Sequence, residues 1–263
     1  KTLAFHSYKG GTGKTTLITN VAAYFAAKGF KVGLLDFDLF APSLSIYFNN
    51  KPSVYLNDFL SGEAQIDDVL VDLTAEHALK GQLLVGFSSP RKEDVDEIEI
   101  KHDRKWQVEA LKRFLVAKKQ LFEKHNLDYL FLDTSPGIRY WSINSLAAAD
   151  LLFLLMKDSD IDIEGTRKML NDIYDSLSRF GSRHCLILSK VPGGNPDHEL
   201  TIEDEKAWVA ELERVVGAEV VGSVPCYCDI QFSRHEFLFS IKQPQHPFSK
   251  RVVALADSIK ALC

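Results

Sequence analysis

Lys9-Gly10-Gly11-Thr12-Gly13-Lys14-Thr15-Thr16 stands between a short apolar run, Leu3–His6, and a stretch in which Leu17, Ile18, Val21, Ala22 and Phe25 recur at helical spacing. The run reads as a strand and the stretch as a helix, closed by Lys28-Gly29 as a C-terminal cap. A glycine-rich turn in that place lets successive backbone N–H groups converge on an anion, and the helix N-terminus adds its positive end. Lys14 is placed to reach β- and γ-phosphates, and Thr15 to set a hydroxyl on Mg²⁺. The stretch opens on Lys9 instead of glycine.

Working outward, further apolar runs follow at Val32–Leu35, Leu83–Phe87, Tyr129–Leu132, Leu151–Met156, Cys185–Leu188 and Glu219–Val224. Continuous rather than alternating apolarity suits strands buried on both faces of a parallel sheet. Alternation with helical patterns predicts an α/β fold: a doubly wound, mostly parallel sheet of about seven strands flanked by helices. Ligands in such sheets sit at the carboxyl ends of the strands. The 263 residues read as one domain, 1–263, without repeats or a long linker. A charged helical excursion breaks the rhythm over about 92–125. It opens with Lys92-Glu93-Asp94-Val95-Asp96-Glu97 and becomes a long helix with Val108, Leu111, Leu115 and Phe122 on one side.

Hydrophobic residues make up 46% and charged residues 25%, which excludes a disordered chain, a collagen-like repeat and a disulfide scaffold. With 31 Lys+Arg against 36 Asp+Glu, the net charge of −5 holds no bulk basic excess for nucleic acid, although a local patch is compatible with it. The four cysteines (Cys185, Cys226, Cys228 and Cys263) are too scattered for a disulfide framework, so a reducing, cytoplasmic setting is expected. The longest apolar run, Leu146 to Met156, is interrupted by Asp150 and falls short of the ~20 residues of a membrane span. No basic and then apolar leader precedes Thr2-Leu3-Ala4-Phe5.

Three segments together resemble the ParA/MinD family of deviant phosphate-loop ATPases. The loop Lys9–Thr16 is the first. Asp36-Phe37-Asp38-Leu39-Phe40-Ala41-Pro42-Ser43, at the end of the second strand, is similar to the family's first switch. Leu132-Asp133-Thr134-Ser135-Pro136-Gly137, at the end of the fourth, is similar to its second switch. The resemblance covers essentially the whole chain and implies the P-loop NTPase fold, ATP as substrate and Mg²⁺ as cofactor. MinD-like Asp-x-Asp-x-x-x-Pro-Ser features sit beside a ParA-like loop, with the MinD-like branch slightly favoured.

The chemistry of the residues supports these roles. Mg²⁺ takes hard oxygen ligands and keeps several waters, so Thr15 with Asp133, acting through water, and Asp38 make a candidate metal set. Asp38 is placed to orient the attacking water, and Gly137 to offer a backbone N–H to a γ-phosphate. Asp36 reads equally well as a turn-capping carboxylate. The nucleotide-binding set is Lys9, Gly10, Gly11, Thr12, Gly13, Lys14, Thr15, Thr16, Gly137 and Pro225, and the catalytic set is Lys9, Lys14 and Asp38. By resemblance, Lys9 reaches across a two-fold interface to the partner's ATP. A second cation there acts like an arginine finger, worth about 10³–10⁵ in rate in other NTPases. The resemblance therefore implies an ATP-bound homodimer released by hydrolysis and a protein activator still to be identified, with a DNA or membrane surface as a further partner class. The family's adenine-contacting Asn after the sixth strand is replaced by Ser189-Lys190-Val191-Pro192, so adenine rests on the resemblance alone. Val224-Pro225 lines the base pocket or forms a plain turn.

Three weaker signals each have a plain reading and a sharp one. Cys226-Tyr227-Cys228 belongs to the nucleotide pocket, or supplies metal ligands across a dimer as in Mrp-type iron–sulfur carriers, whose Cys-x-x-Cys spacing is absent. Lys101, Lys105, Lys112 and Lys119 line a helix diluted by Asp103, Glu109 and Glu123, a solvated face or a contact for DNA phosphates. In Pro247–Leu262, Val252, Val253, Leu255, Ala256, Ile259 and Leu262 mark a helix expected to pack on the sheet, the other reading being a membrane-binding helix. The eight histidines show no ligand spacing. The expected function is a Mg-dependent ATPase acting as an ATP-driven dimerisation switch that positions intracellular cargo, division machinery or chromosomes. The alternatives are the iron–sulfur carrier and a small-molecule kinase or ligase on the same fold.

Overall fold

Every residue of Thr2–His6, Tyr129–Thr134 and Leu151–Met156 is buried, as strands covered on both faces must be. The computed structural model describes residues 1–101, 104–138, 146–174, 183–191, 202–234 and 236–263. Its strands are β1 (Thr2–His6), β2 (Lys31–Phe37), β3 (Leu70–Asp72), β4 (Gln82–Gly86), β5 (Tyr129–Thr134), β6 (Leu151–Met156), β7 (Arg183–Val191) and β8 (Val220–Pro225). They form one sheet in the order β3-β4-β2-β5-β1-β6-β7-β8, parallel throughout except for the antiparallel pair β3–β4. Each apolar run expected to be a strand is one. The addition is β3, an edge strand of three residues, none of them buried. A segment that short leaves no periodic signature.

The helices are α1 (Lys14–Ala27), α2 (Leu44–Tyr47), α3 (Leu56–Ser61), α4 (Lys92–Lys101), α5 (Arg104–Lys124), α6 (Asp160–Met169), α7 (Ile202–Val216), α8 (Cys228–Gln231), α9 (Phe239–Lys242) and α10 (Pro247–Leu262). They cover both faces of the sheet. On one, Leu3 and Phe5 of β1 join Leu17, Ile18 and Val21 of α1 and Val252, Leu255 and Ile259 of α10. On the other, Ala4 faces a core built with Leu56 of α3, Phe114 of α5, Met169 of α6 and Leu212 of α7. This alternation along β1 is the period of two that a doubly wound sheet requires. Gly29, at φ 101°, closes α1 as the sequence predicts, with its N–H on Ala26 O at 3.1 Å.

The charged excursion is helical, but α5 buries a different side from the one expected. Ala110, Phe114, Ala117 and Leu121 face the core, whereas Val108 and Leu115 are 43% and 46% exposed. The helix carries two apolar stripes, and its cations decide between them. Arg113 Nη1 donates to Leu60 O at 2.7 Å and Lys118 Nζ to Ala148 O at 2.6 Å, one on each side of the buried stripe. Phe114 then stacks edge-on against Phe37 at 4.7 Å. Lys105, Lys112 and Lys119 are exposed, and the last two pair with Glu109 and Glu123 of the same helix. Asp103 and the Lys101 side chain lie outside the described residues, as does Pro192. In α10, Val252, Leu255, Ala256 and Ile259 are buried against α1 and β8, while Val253 and Leu262 are half-buried. Among the described residues, no helix is long and apolar enough to cross a membrane.

Candidate nucleotide site

The chain leaves the buried end of β1 and turns through Ser7–Gly13 before α1 begins. Gly11 and Gly13 adopt left-handed φ values of 75° and 84°, which a side chain would strain. Gly13 caps α1 without a side-chain acceptor, so the helix presents its first N–H groups to the cleft. That cleft encloses about 490 Å³ at the carboxyl ends of the strands and is lined by Gly10 through Thr16, Asp38, Tyr47, Pro136, Ser189, Lys190 and Val224 through Tyr227. The loop is braced on three sides. Ser7 Oγ donates to Lys9 O at 2.8 Å, Gly137 N to Ser7 O at 2.8 Å, and Ser189 Oγ to Thr12 O at 2.6 Å. Thr16 Oγ1 and Tyr47 Oη share a hydrogen bond of 2.6 Å, which joins α1 to α2.

Beneath the loop, Lys14 Nζ meets Asp133 Oδ1 at 2.8 Å, with side chains only 7% and 1% exposed. Burial alone would lower the lysine pKa; Asp133, backed by Asp38 and Asp36, raises it above its ordinary value instead. Asp36 is the register neighbour of Asp133 across the β2–β5 pair. Burial, then Asp133 and Asp38, hold its carboxyl well above the usual range. Its oxygens accept Asp38 N at 3.1 Å and Leu44 N at 3.3 Å, so Asp36 does cap the loop after β2. Asp38 lines the cleft and accepts Ser135 Oγ at 2.7 Å.

The residues fit a hard divalent cation. Asp133 Oδ2 is buried with no hydrogen-bond partner among the described residues, the state of an oxygen that awaits a metal-bound water. Thr15 lines the same cleft.

The structure thus gathers the loop residues, Asp38 and Pro225 around one cavity and sets Asp133 directly behind Lys14. Lys9 is half-buried, and its side chain is not part of the cleft lining. Gly137, at φ 80°, spends its N–H on Ser7, so that bond must be exchanged before it can serve a phosphate. Ser189 holds the loop by the bond that its hydroxyl makes to Thr12 O. Cys226 lines the cleft while Cys228 is exposed, and among the described residues no group of three or more His, Cys, Asp or Glu could hold a metal. Sequence reasoning missed His6, whose Nδ1 bonds Thr134 Oγ1 at 2.7 Å. That hydroxyl also donates to Phe5 O at 2.8 Å. Burial and then Lys14 push its pKa down to about 3.

The loop at the end of β1, with Asp133 on the adjoining β5 facing its lysine, gives this chain the P-loop NTPase fold. A family described as an AAA domain matches residues 1–181. The chromosome-partitioning ATPase Soj of Treponema pallidum is 31% identical over 174 residues, 66% of this chain and 63% of that protein. An iron-sulfur cluster carrier protein of Aquifex aeolicus is 27% identical over 235 residues, 85% of this chain and 57% of its own. The chain therefore spans about six tenths of the length of these two relatives. The septum site-determining protein MinD of Pyrococcus horikoshii, solved with Mg-ADP, superposes with a TM-score of 0.76 at 20% identity, over 100% of this chain and 96% of that one. The chain belongs to the ParA/MinD family of ATPases.

Proposed function

We propose that this chain is a Mg-dependent ATPase whose ATP-bound form is a homodimer and whose hydrolysis releases that dimer, a switch for positioning intracellular cargo. The observation that carries the reading is the buried Lys14–Asp133 pair at 2.8 Å beneath a cradle of N–H groups, with Asp133 Oδ2 left open. In this reading the loop N–H groups hold the triphosphate. Lys14, with three donors of which one is engaged on Asp133, turns the others to the phosphate oxygens. Asp38, steadied by Ser135, orients the attacking water. Thr15, Asp38 and Asp133 would hold Mg²⁺, which supplies neutralising charge to the phosphates.

Dimerisation draws support from the surface. Ile46, Ile138, Ile161 and Phe232 are 62%, 47%, 63% and 73% exposed, and they follow the carboxyl ends of β2, β5, β6 and β8. Exposed apolar groups that follow the strand ends suit a partner surface, and in this reading a second copy docked there brings Lys9 to the other ATP. Phosphate release from Mg-ATP by wild type, Lys14→Ala and Asp38→Ala tests the reading. It predicts turnover in wild type, no nucleotide binding in Lys14→Ala, and binding without turnover in Asp38→Ala. A wild-type chain that binds no ATP contradicts it.

The iron–sulfur reading draws on the Aquifex relative, on Cys226 in the cleft lining and on the exposed Cys228 two residues on. It predicts iron in the purified protein that is lost in Cys226→Ala. A protein activator, a DNA surface and a membrane surface are the partner classes to screen.

A further inference from the structure

The general phosphate-loop pattern is glycine, four residues, then Gly-Lys. Counted back from Gly13, its first glycine falls at position 8, so Tyr8, and not Lys9 as read above, stands in its place. Room for that ring comes from another element. Gly165 lies inside α6, where glycine is among the least favoured residues. A Cβ built on it would stand 2.1 Å from Tyr8 Cδ1 and Cε1 and 2.7 Å from Cγ, so the ring rests directly on the helix backbone. On the other side the backbone around Tyr8 is fixed by bonds of its neighbours. Its flanking residues are held by the Gly137–Ser7 and Ser7–Lys9 bonds, each 2.8 Å, and its own carbonyl oxygen lies 3.5 Å from where a Gly137 Cβ would be. The residue before Lys9 is thus seated with its ring on α6, while the neighbouring Ser7 ties the backbone to Gly137 in the loop that follows β5.

We infer that Tyr8 is a positioning residue for Lys9: its ring, seated on Gly165, sets the direction in which the Lys9 side chain leaves the loop. This rests on the reading of Lys9 as a cation acting on the partner's nucleotide. Tyr8 is not part of the cleft lining, and any aromatic ring of its size meets the requirement.

The test is a double-mutant cycle read as dimer dissociation constants in Mg–ATPγS by analytical ultracentrifugation, with kcat and KM for ATP measured alongside. Tyr8→Phe should match wild type. Tyr8→Ala and Gly165→Ala should each weaken the dimer and lower kcat about ten-fold with KM little changed, as for a misplaced catalytic group. In a Lys9→Ala background neither should weaken the dimer further. Losses that multiply with Lys9→Ala, a Tyr8→Ala variant that behaves as wild type, or a rise in KM as large as the fall in kcat would each overturn the positioning role. Gly165→Ala alone is open to misfolding, and the Tyr8 variants then decide. A wild-type chain that neither dimerises nor hydrolyses ATP overturns the switch itself, and the inference with it.

Discussion

Replacing Lys14 by methionine removes the cation from a pocket that holds Asp36, Asp38 and Asp133, all at most 7% exposed. At 2.8 Å, the Lys14–Asp133 attraction is about 6 kcal/mol at an effective dielectric constant of 20. Much of it offsets the cost of taking both charges out of water, but deleting one partner leaves the other buried and unpaired. A loss of about 3–5 kcal/mol is expected at pH 7.5, or roughly 10 °C in Tm for a chain of this size. The pH dependence has a definite sign. Asp36 is already held above its unfolded pKa by burial, then by Asp133 and Asp38, and losing a neighbouring cation widens that difference. A group raised in this way adds stability as pH falls, so the deficit of Lys14→Met should shrink between pH 7.5 and 5.5. Urea unfolding followed by circular dichroism, without nucleotide, reads both effects. Asp133→Asn should cost a similar amount, and the double variant should recover about 2 kcal/mol or more of the summed losses. A Lys14→Met protein within about 1 kcal/mol of wild type, or losses that simply add in the double variant, would mean that the two groups are not a coupled buried pair.

Three further outcomes follow from the same geometry. His6 is held neutral down to about pH 3, so between pH 6.5 and 3 the unfolded chain binds a proton that the folded one does not. Stability should fall with acidity by up to about 1.4 kcal/mol per pH unit, and His6→Asn should remove that share of the slope in guanidinium midpoints at pH 7.5, 6.0 and 5.0. Ser189→Ala deletes the 2.6 Å brace on Thr12 O; calorimetry with Mg-ADP should show several-fold weaker binding, with about 1 kcal/mol less stability. Alkylation followed by mass spectrometry should find Cys226 protected by Mg-ADP and Cys228 modified with or without it.

The central strands were legible because a strand covered on both faces is apolar at every position, as Leu151–Met156 shows. The loop was legible because its glycines, lysine and threonines are contiguous in sequence. What escaped reading depends on side chains brought together from distant segments. The apolar stripe of α5 lost to a second one because Arg113 and Lys118 find carbonyls on Leu60 and Ala148. Ser189 looked like the loss of a base contact until β7 brought its hydroxyl under Thr12. His6 is a lone histidine with no spacing to mark it, and its meaning comes from burial beside Lys14 and Thr134. The seat of Tyr8 on Gly165 joins two segments that no local pattern connects.

The claim on which the account turns is that ATP joins two copies and that Lys9 completes the partner's site. Molar mass by light scattering, for wild type, Lys9→Ala and Asp38→Ala in Mg-ATP and in Mg-ADP, tests it most directly. Expected are monomers in Mg-ADP, a dimer trapped in Asp38→Ala with Mg-ATP, and a weakened dimer in Lys9→Ala. A monomer under every condition, despite tight ATP binding, would contradict the switch and turn attention to a small-molecule transferase on the same fold.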